Sequence, residues 1–173
     1  MGPHIAFGRD QMGLGTSAWG HAQIARDFEL VIRGHGTDCF EYAGSTVVLA
    51  DVLAGGSVGI RQRYRYKSTT MLGAEAFLDY QGRSGASNTQ SVSGIVGIPV
   101  AEQAVPGLWV YTDISMGIAI PLEKNPAAPF FGFQEIPLGI SWEVSPGLLV
   151  VAEGGMSLPL NGGYFGAATA FRF

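Results

Sequence analysis

Leu108-Trp109-Val110-Tyr111-Thr112-Asp113-Ile114-Ser115-Met116-Gly117-Ile118-Ala119-Ile120 is the stretch on which the fold turns. Its even positions are Leu, Val, Thr, Ile, Met, Ile and Ile, and its odd positions are Trp, Tyr, Asp, Ser, Gly and Ala. Successive side chains of a strand point to opposite sides. The stretch therefore predicts a strand with one apolar face and one small or polar face.

The same alternation spreads outward in both directions. Ile136, Leu138, Ile140, Trp142 and Val144 oppose Glu135, Gly139, Ser141 and Glu143. Leu148, Val150, Ala152 and Met156 oppose Glu153, Gly155 and Ser157. Upstream, Leu72, Ala74, Ala76, Leu78 and Tyr80 oppose Glu75, Phe77 and Asp79, and Val92 to Val100 alternates with Ser91, Ser93, Ile95 and Gly97. Val58, Ile60, Tyr64 and Tyr66 oppose Arg61, Arg63, Arg65 and Lys67. Phe28, Leu30 and Ile32 alternate with Glu29, Val31 and Arg33.

Composition narrows what such strands can build. The chain has 173 residues, 47% hydrophobic and only 14% charged, with 26 glycines. Its length suits one domain. Its low charge and mean hydropathy of +0.23 exclude disorder. A net charge of -4 argues against nucleic acid as a partner, because phosphate contact needs a basic face. The single cysteine, Cys39, has no partner for an internal disulfide. No run of about 18 uninterrupted apolar residues exists, so membrane helices are excluded. A closed β-barrel is the other architecture that crosses a bilayer, since all its backbone groups pair between strands.

The polar faces, compared across strands, are complementary in charge. One strand offers Arg61, Arg63 and Arg65; others offer Glu75, Asp79, Asp113, Glu135, Glu143 and Glu153. Charges set this deep in apolar strands must be paired or wet. If their faces converge on one lumen, acids and bases meet there, and the apolar faces touch lipid. A soluble, lipocalin-like barrel would invert this arrangement, with the apolar faces lining a ligand cavity. Glycine and alanine among the polar-face positions suit a crowded lumen and favour the membrane version.

Connection lengths fit it too. Asn161-Gly162-Gly163, Ser145-Pro146-Gly147 and Ser68-Thr69-Thr70 read as short turns, and Ala101 to Pro106 as a medium connection. Gln81 to Thr89 and Glu123 to Phe131 read as long loops, and both fall at one end of the barrel. Outer-membrane barrels combine short turns on the periplasmic side with longer loops outside.

The chain ends Gly166-Ala167-Ala168-Thr169-Ala170-Phe171-Arg172-Phe173. A glycine, then alternating hydrophobics, then a terminal Phe resembles the C-terminal β-signal of bacterial outer-membrane barrel proteins. The resemblance implies a bacterial outer-membrane location, outer-membrane lipid and lipopolysaccharide as surroundings, and assembly by the barrel-assembly machinery through Gly166, Phe171 and Phe173. Envelope protein partners are a separate expectation, from the reading of the chain as an interaction protein or envelope-assembly subunit. Met1-Gly2-Pro3-His4 has no basic segment followed by an apolar one, so no signal peptide is read in this chain.

The resulting expectation is an all-β, closed, antiparallel up-and-down transmembrane barrel spanning residues 1–173 as one domain. Eight strands are expected, with ten as the alternative. Residues 1–45 are left to extra strands, a plug or a terminal extension. One version makes Gly34 to Gly56 a long outside loop; another makes Thr46 to Leu53 a strand that turns at Ala54 to Gly56. Trp109, Tyr111, Trp142, Tyr64, Tyr66, Phe171 and Phe173 are assigned to interfacial aromatic girdles.

Chemistry is sparse. His35, Asp38, Cys39 and Glu41 are the one local cluster of titratable types, and their irregular spacing reads as a polar loop with a free thiol. Neither the His-x-Ser pair of outer-membrane deacylases nor a nucleotide loop is present. The expectation is a non-enzyme without cofactor or metal: a barrel plugged by paired charges, serving as a structural or interaction protein or as a subunit of an envelope assembly. The alternatives are a narrow channel for ions or small solutes and the soluble ligand-binding barrel.

Overall fold

The alternating segments close into one barrel in the computed structural model, which describes residues 2–8, 11–43, 45–85, 88–122, 130–133, 135–157 and 162–171. Its strands are β1 (Gly2–Gly8), β2 (Gln11–Ala25), β3 (Phe28–Ala43), β4 (Thr46–Arg65), β5 (Thr70–Gly85), β6 (Thr89–Val105), β7 (Leu108–Pro121), β8 (Phe130–Phe133), β9 (Glu135–Ser145), β10 (Leu148–Ser157) and β11 (Gly162–Phe171). Sequence neighbours pair antiparallel from β1 to β8 and from β9 to β11, and β1 pairs with β11 to close the sheet. β8 and β9 pair with successive stretches of β7, Met116–Ala119 and Leu108–Thr112, so they occupy one position in the wall. The barrel thus has ten strand positions.

Ten corrects the expected eight, and the reason lies in the first 56 residues. Gly34 to Gly56 is no loop: β3 runs on to Ala43 and β4 starts at Thr46. Nor does the chain turn at Ala54 to Gly56. Gly55 pairs with both His35 and Gln81 inside a single 20-residue strand. Gln81 to Gly85 likewise extends β5, which shortens the connection to β6, and Ala101 to Val105 extends β6. Most of the predicted loop Glu123 to Phe131, together with Asn161 and Phe173, lies outside the described residues.

The register sets the barrel's size. Following the paired rows from Trp109 through Ser141, Val151 and Ala168, carrying the β1–β11 register on from His4–Gly166 to Gly2, and then through Ser17, His35, Gly55, Gln81 and Ser91 returns to β7 at Pro121, twelve residues further along. With standard strand spacing, that stagger tilts the strands by about 40° and gives a backbone radius of about 10 Å.

The pleat then sorts the side chains. Ile98, Ile114, Ile118, Leu138, Ile140 and Phe165 are exposed on the outer wall. Glu75, Phe77, Ser93 and Ser115, at alternate positions of the same strands, are buried inside. This is the reverse of the lipocalin-like alternative. The outward apolar runs Leu72 to Tyr80, Val92 to Val100 and Val110 to Ile120 are nine to eleven residues long, the length of about 9–11 residues that a tilted transmembrane strand needs. Near the end that carries the tight turns, Phe28, Tyr64, Trp142 and Phe171 are all exposed on the outer wall. Trp109 and Tyr111, assigned to the girdles from sequence, lie on the inward-facing positions of β7 and leave that set.

Candidate functional site: the charged lumen

Three polar layers fill the lumen. The central one is built on Glu75 of β5. Arg61, its direct partner across the β4–β5 ladder, donates from Nε to Oε2 at 2.7 Å and also approaches from Nη2 at 2.7 Å. Arg33 of β3 stands 3.7 Å from the other oxygen, and its guanidinium covers the Phe77 ring at 4.3 Å. Only 1% of the Glu75 side chain is exposed. Asp113 of β7 shares a notch with Glu75 over Gly97, where an added Cβ would meet Asp113 Oδ1 at 2.9 Å and Glu75 Cγ at 3.2 Å. That Oδ1 is buried without a hydrogen-bond partner among the described residues. Asp79 lines the same space within electrostatic reach of His35 and Arg33.

A second layer lies toward the loop end. Arg83 donates from Nε to Asp51 Oδ2 at 2.8 Å and from Nη2 to Gln11 Oε1 at 3.1 Å. Gln11 in turn donates to Glu41. His4 and Thr37 bond across β2 at 2.8 Å. Beside them Glu153 accepts the hydroxyls of Tyr111 at 2.7 Å and Tyr164 at 2.6 Å. The third layer faces the turn end: Arg63 Nη2 stands 2.9 Å from Glu29 Oε2 and 3.4 Å from His21 Nδ1, and that same His21 nitrogen lies 3.3 Å from Glu29 Oε2.

Glycines make room for the large groups. A Cβ on Gly139 would sit 2.3 Å from Tyr111 Cζ, one on Gly155 2.5 Å from Tyr164, and one on Gly59 2.2 Å from Phe77. Each ring therefore occupies the space that a side chain on the facing glycine would fill.

Of the residues singled out in the sequence, Arg61, Arg63, Glu75, Asp79, Asp113 and Glu153 face the lumen. Arg65 ends β4 at the turn rim and is exposed there. Glu143 also lies at that rim, where its Oε1 accepts from the Gly147 amide at 3.4 Å. The backbone of Glu135 pairs with Ser157, and its side chain lies outside the described residues. Gly166 faces inward on β11 and Phe171 outward. Arg33, Asp51, Arg83 and Tyr164 join the layers without having been singled out, and Tyr111 joins them instead of the girdle to which the sequence assigned it; strand parity was the signal that would have found them. His35, Thr37, Cys39 and Glu41 share the inner face of β3, while Asp38 is on the outer face. The supposed polar loop is thus a strand that splits the cluster across the wall. Among the described residues no group of three His, Cys, Asp or Glu side chains could hold a metal ion.

No family model and no curated protein matches the chain. Among solved structures, the chain is similar to one described as a KdgM porin, at 9% sequence identity and a TM-score of 0.39, with 99% of this chain and 98% of that chain covered.

Proposed function

We propose that the chain is a bacterial outer-membrane β-barrel whose lumen is closed by layered ion pairs, acting as a structural or interaction protein at the cell surface. The observation that supports this reading is an inversion of the usual solubility pattern. Leu138 is 64% exposed on the outer wall, while the Glu75 side chain at the barrel centre is 1% exposed and ion-paired. In water that wall is a large apolar patch of the kind soluble monomers avoid; in a bilayer it is the lipid contact. The surroundings are then outer-membrane lipid and lipopolysaccharide. The barrel-assembly machinery reads the last strand through Gly166, Phe171 and Phe173, and the loop end meets envelope partners.

Planar-bilayer recording tests the closed lumen. The reading expects no steady conductance from the wild-type protein and discrete current steps from an Arg61→Ala/Glu75→Ala variant. Steady wild-type current overturns closure and favours the second reading, a narrow path for ions or small solutes. That reading draws on Arg33, whose side chain is 43% exposed beside the central layer.

A further inference from the structure

The lumen takes up most of the described positive charge. Arg33, Arg61, Arg63 and Arg83 each stand within ion-pair distance of a carboxylate. Arg26, Arg65 and Lys67 make no ion pair among the described residues, and all three are exposed. They meet at one end of the barrel. Arg26 belongs to the β2–β3 turn, Arg65 ends β4, and Lys67 lies in the β4–β5 turn.

Backbone bonds tie these turns together. The Arg63 amide donates to the Asp27 carbonyl at 2.9 Å, and the Tyr66 and Lys67 amides donate to the Thr70 carbonyl at 3.1 and 3.3 Å. The cations are thus carried on a fixed base rather than on free ends. Two exposed carboxylates share this end, Asp27 beside Arg26 and Glu102 within electrostatic reach of Lys67. Glu102 is already held by the Thr70 hydroxyl at 2.6 Å. Positive charge is therefore in excess.

Depth in the membrane points to the ligand. Phe28, Tyr64 and Tyr66 are 37%, 51% and 68% exposed beside the cations. Phe28 and Tyr64 belong to the aromatic set of the turn end, where hydrocarbon gives way to headgroups. Arg65 follows Tyr64 directly, and Arg26 lies two residues before Phe28. Lys67 sets its ammonium 5.6 Å from the centre of the Tyr66 ring. One to three residues beyond the boundary is about 3–8 Å along the barrel axis, which is the headgroup layer. Toward the loop end the described outer wall carries an exposed carboxylate, Asp38, and no exposed cation.

We propose that the turn end below β2–β5 is a docking site for the headgroup of an anionic phospholipid in the adjoining leaflet. Arg26, Arg65 and Lys67 are its cationic groups, and Phe28, Tyr64 and Tyr66 flank the lipid where its chains enter the hydrocarbon. Guanidinium forks match phosphate oxygens, and the ammonium adds a point charge. Clustered cations beside a membrane-spanning wall favour anionic over zwitterionic lipid, whose headgroup brings its own cation. The aromatic flank favours lipid over an acidic polypeptide, because Phe28 and Tyr64 lie on the wall that faces hydrocarbon. The site rests on the membrane reading but not on closure of the lumen.

Electron paramagnetic resonance of the protein refolded into phosphatidylcholine vesicles tests this. The probes are spin-labelled phosphatidylglycerol and spin-labelled phosphatidylcholine. The expected result is that the wild-type protein restricts the motion of phosphatidylglycerol about twofold or more over phosphatidylcholine at low salt, and that about 1 M salt removes the preference. Arg26→Gln/Arg65→Gln/Lys67→Gln should lose the preference while still shifting in mobility on boiling in SDS. Arg26→Gln and Lys67→Gln, each at an exposed turn position, should lower it singly, which keeps the test open if the triple variant does not fold. Equal restriction of both lipids by the wild type overturns the proposal, and so does an undiminished preference in the folded variants. Absence of lipid preference together with binding of a glutamate-rich peptide would also overturn it, and would assign the patch to an acidic protein segment. If neither lipid is restricted, the protein has not entered the bilayer and the membrane reading itself fails.

Discussion

Arg61 and Glu75 face each other across the β4–β5 ladder, and the guanidinium meets the carboxylate through both Nε and Nη2 at 2.7 Å. Only 1% of the Glu75 side chain is exposed. Removing one partner strands a buried charge, which typically costs 3–5 kcal/mol, whereas replacing both with apolar groups of similar volume is often neutral. Arg61→Met should therefore lower the denaturation midpoint by far more than Arg61→Met/Glu75→Leu. Urea unfolding of the two variants in detergent, followed by tryptophan fluorescence, checks the order. Equal losses would mean that the pair is not buried.

Gly139 and Gly94 form a matched control. A Cβ on Gly139 would sit 2.3 Å from the Tyr111 ring, whereas one on Gly94 would meet nothing within 4 Å. Gly139→Ala should displace Tyr111 and break its bond to Glu153, costing about 1–3 kcal/mol. Gly94→Ala should stay within about 0.5 kcal/mol of wild type. Unfolding midpoints separate the two, and a matching Glu153→Gln variant should remove much of the difference.

The outer wall yields a prediction that a water-soluble barrel would not share. Leu138 is exposed outward in the middle of β9. If that wall meets lipid, Leu138→Arg costs about 2–4 kcal/mol in bilayers, while an exposed Leu→Arg change in water is usually near neutral. Folding equilibria measured in lipid vesicles give the answer directly.

Glu102 provides a pH signature. It lies beyond the outward apolar run of β6, at the turn end, where Thr70 Oγ1 donates to its Oε2 at 2.6 Å. This bond, helped by Thr69, holds the carboxyl below the ordinary glutamate range. A group with a depressed folded pKa contributes stability that is fully present above the unfolded value. That contribution fades as pH falls through the lower folded value. Its effect is therefore confined to acid below about pH 4.5, and Thr70→Ala should raise the Glu102 pKa toward the unperturbed value. An NMR titration of the Glu102 carboxyl carbon reads the shift.

Sequence legibility followed the contrast between the two faces of each strand. From Val58 onward the outward positions are Ile, Leu, Val and aromatics, the inward ones Arg, Glu, Asp, Ser and Gly, and the alternation is plain. β2 and the middle of β3 lack that contrast. Their outward positions include Ala18, Gly20, Gly34 and Gly36, so the period of two fades although the backbone pairing continues. That is why three N-terminal strands collapsed into one uncertain stretch and the barrel was expected to have eight strands. Glycine pairs misled in the same way: Gly55-Gly56 reads as a turn, yet both residues lie in the wall opposite His35 and Gly34. The lumen residues were legible by parity where a strand was recognised. Asp51 and Arg83 were not, because one looked like an interruption in an apolar run and the other like loop. The Tyr111–Glu153–Tyr164 bridge needs three strands in register, which no single segment encodes.

The central claim is a closed barrel that carries its charges inside and its apolar face against lipid. Gel electrophoresis in SDS, with and without boiling, of protein refolded in detergent tests it most directly. The account predicts a compact, SDS-resistant species before boiling that shifts to a different mobility afterwards. Identical mobility under both conditions, together with a monodisperse protein in plain buffer, would contradict it.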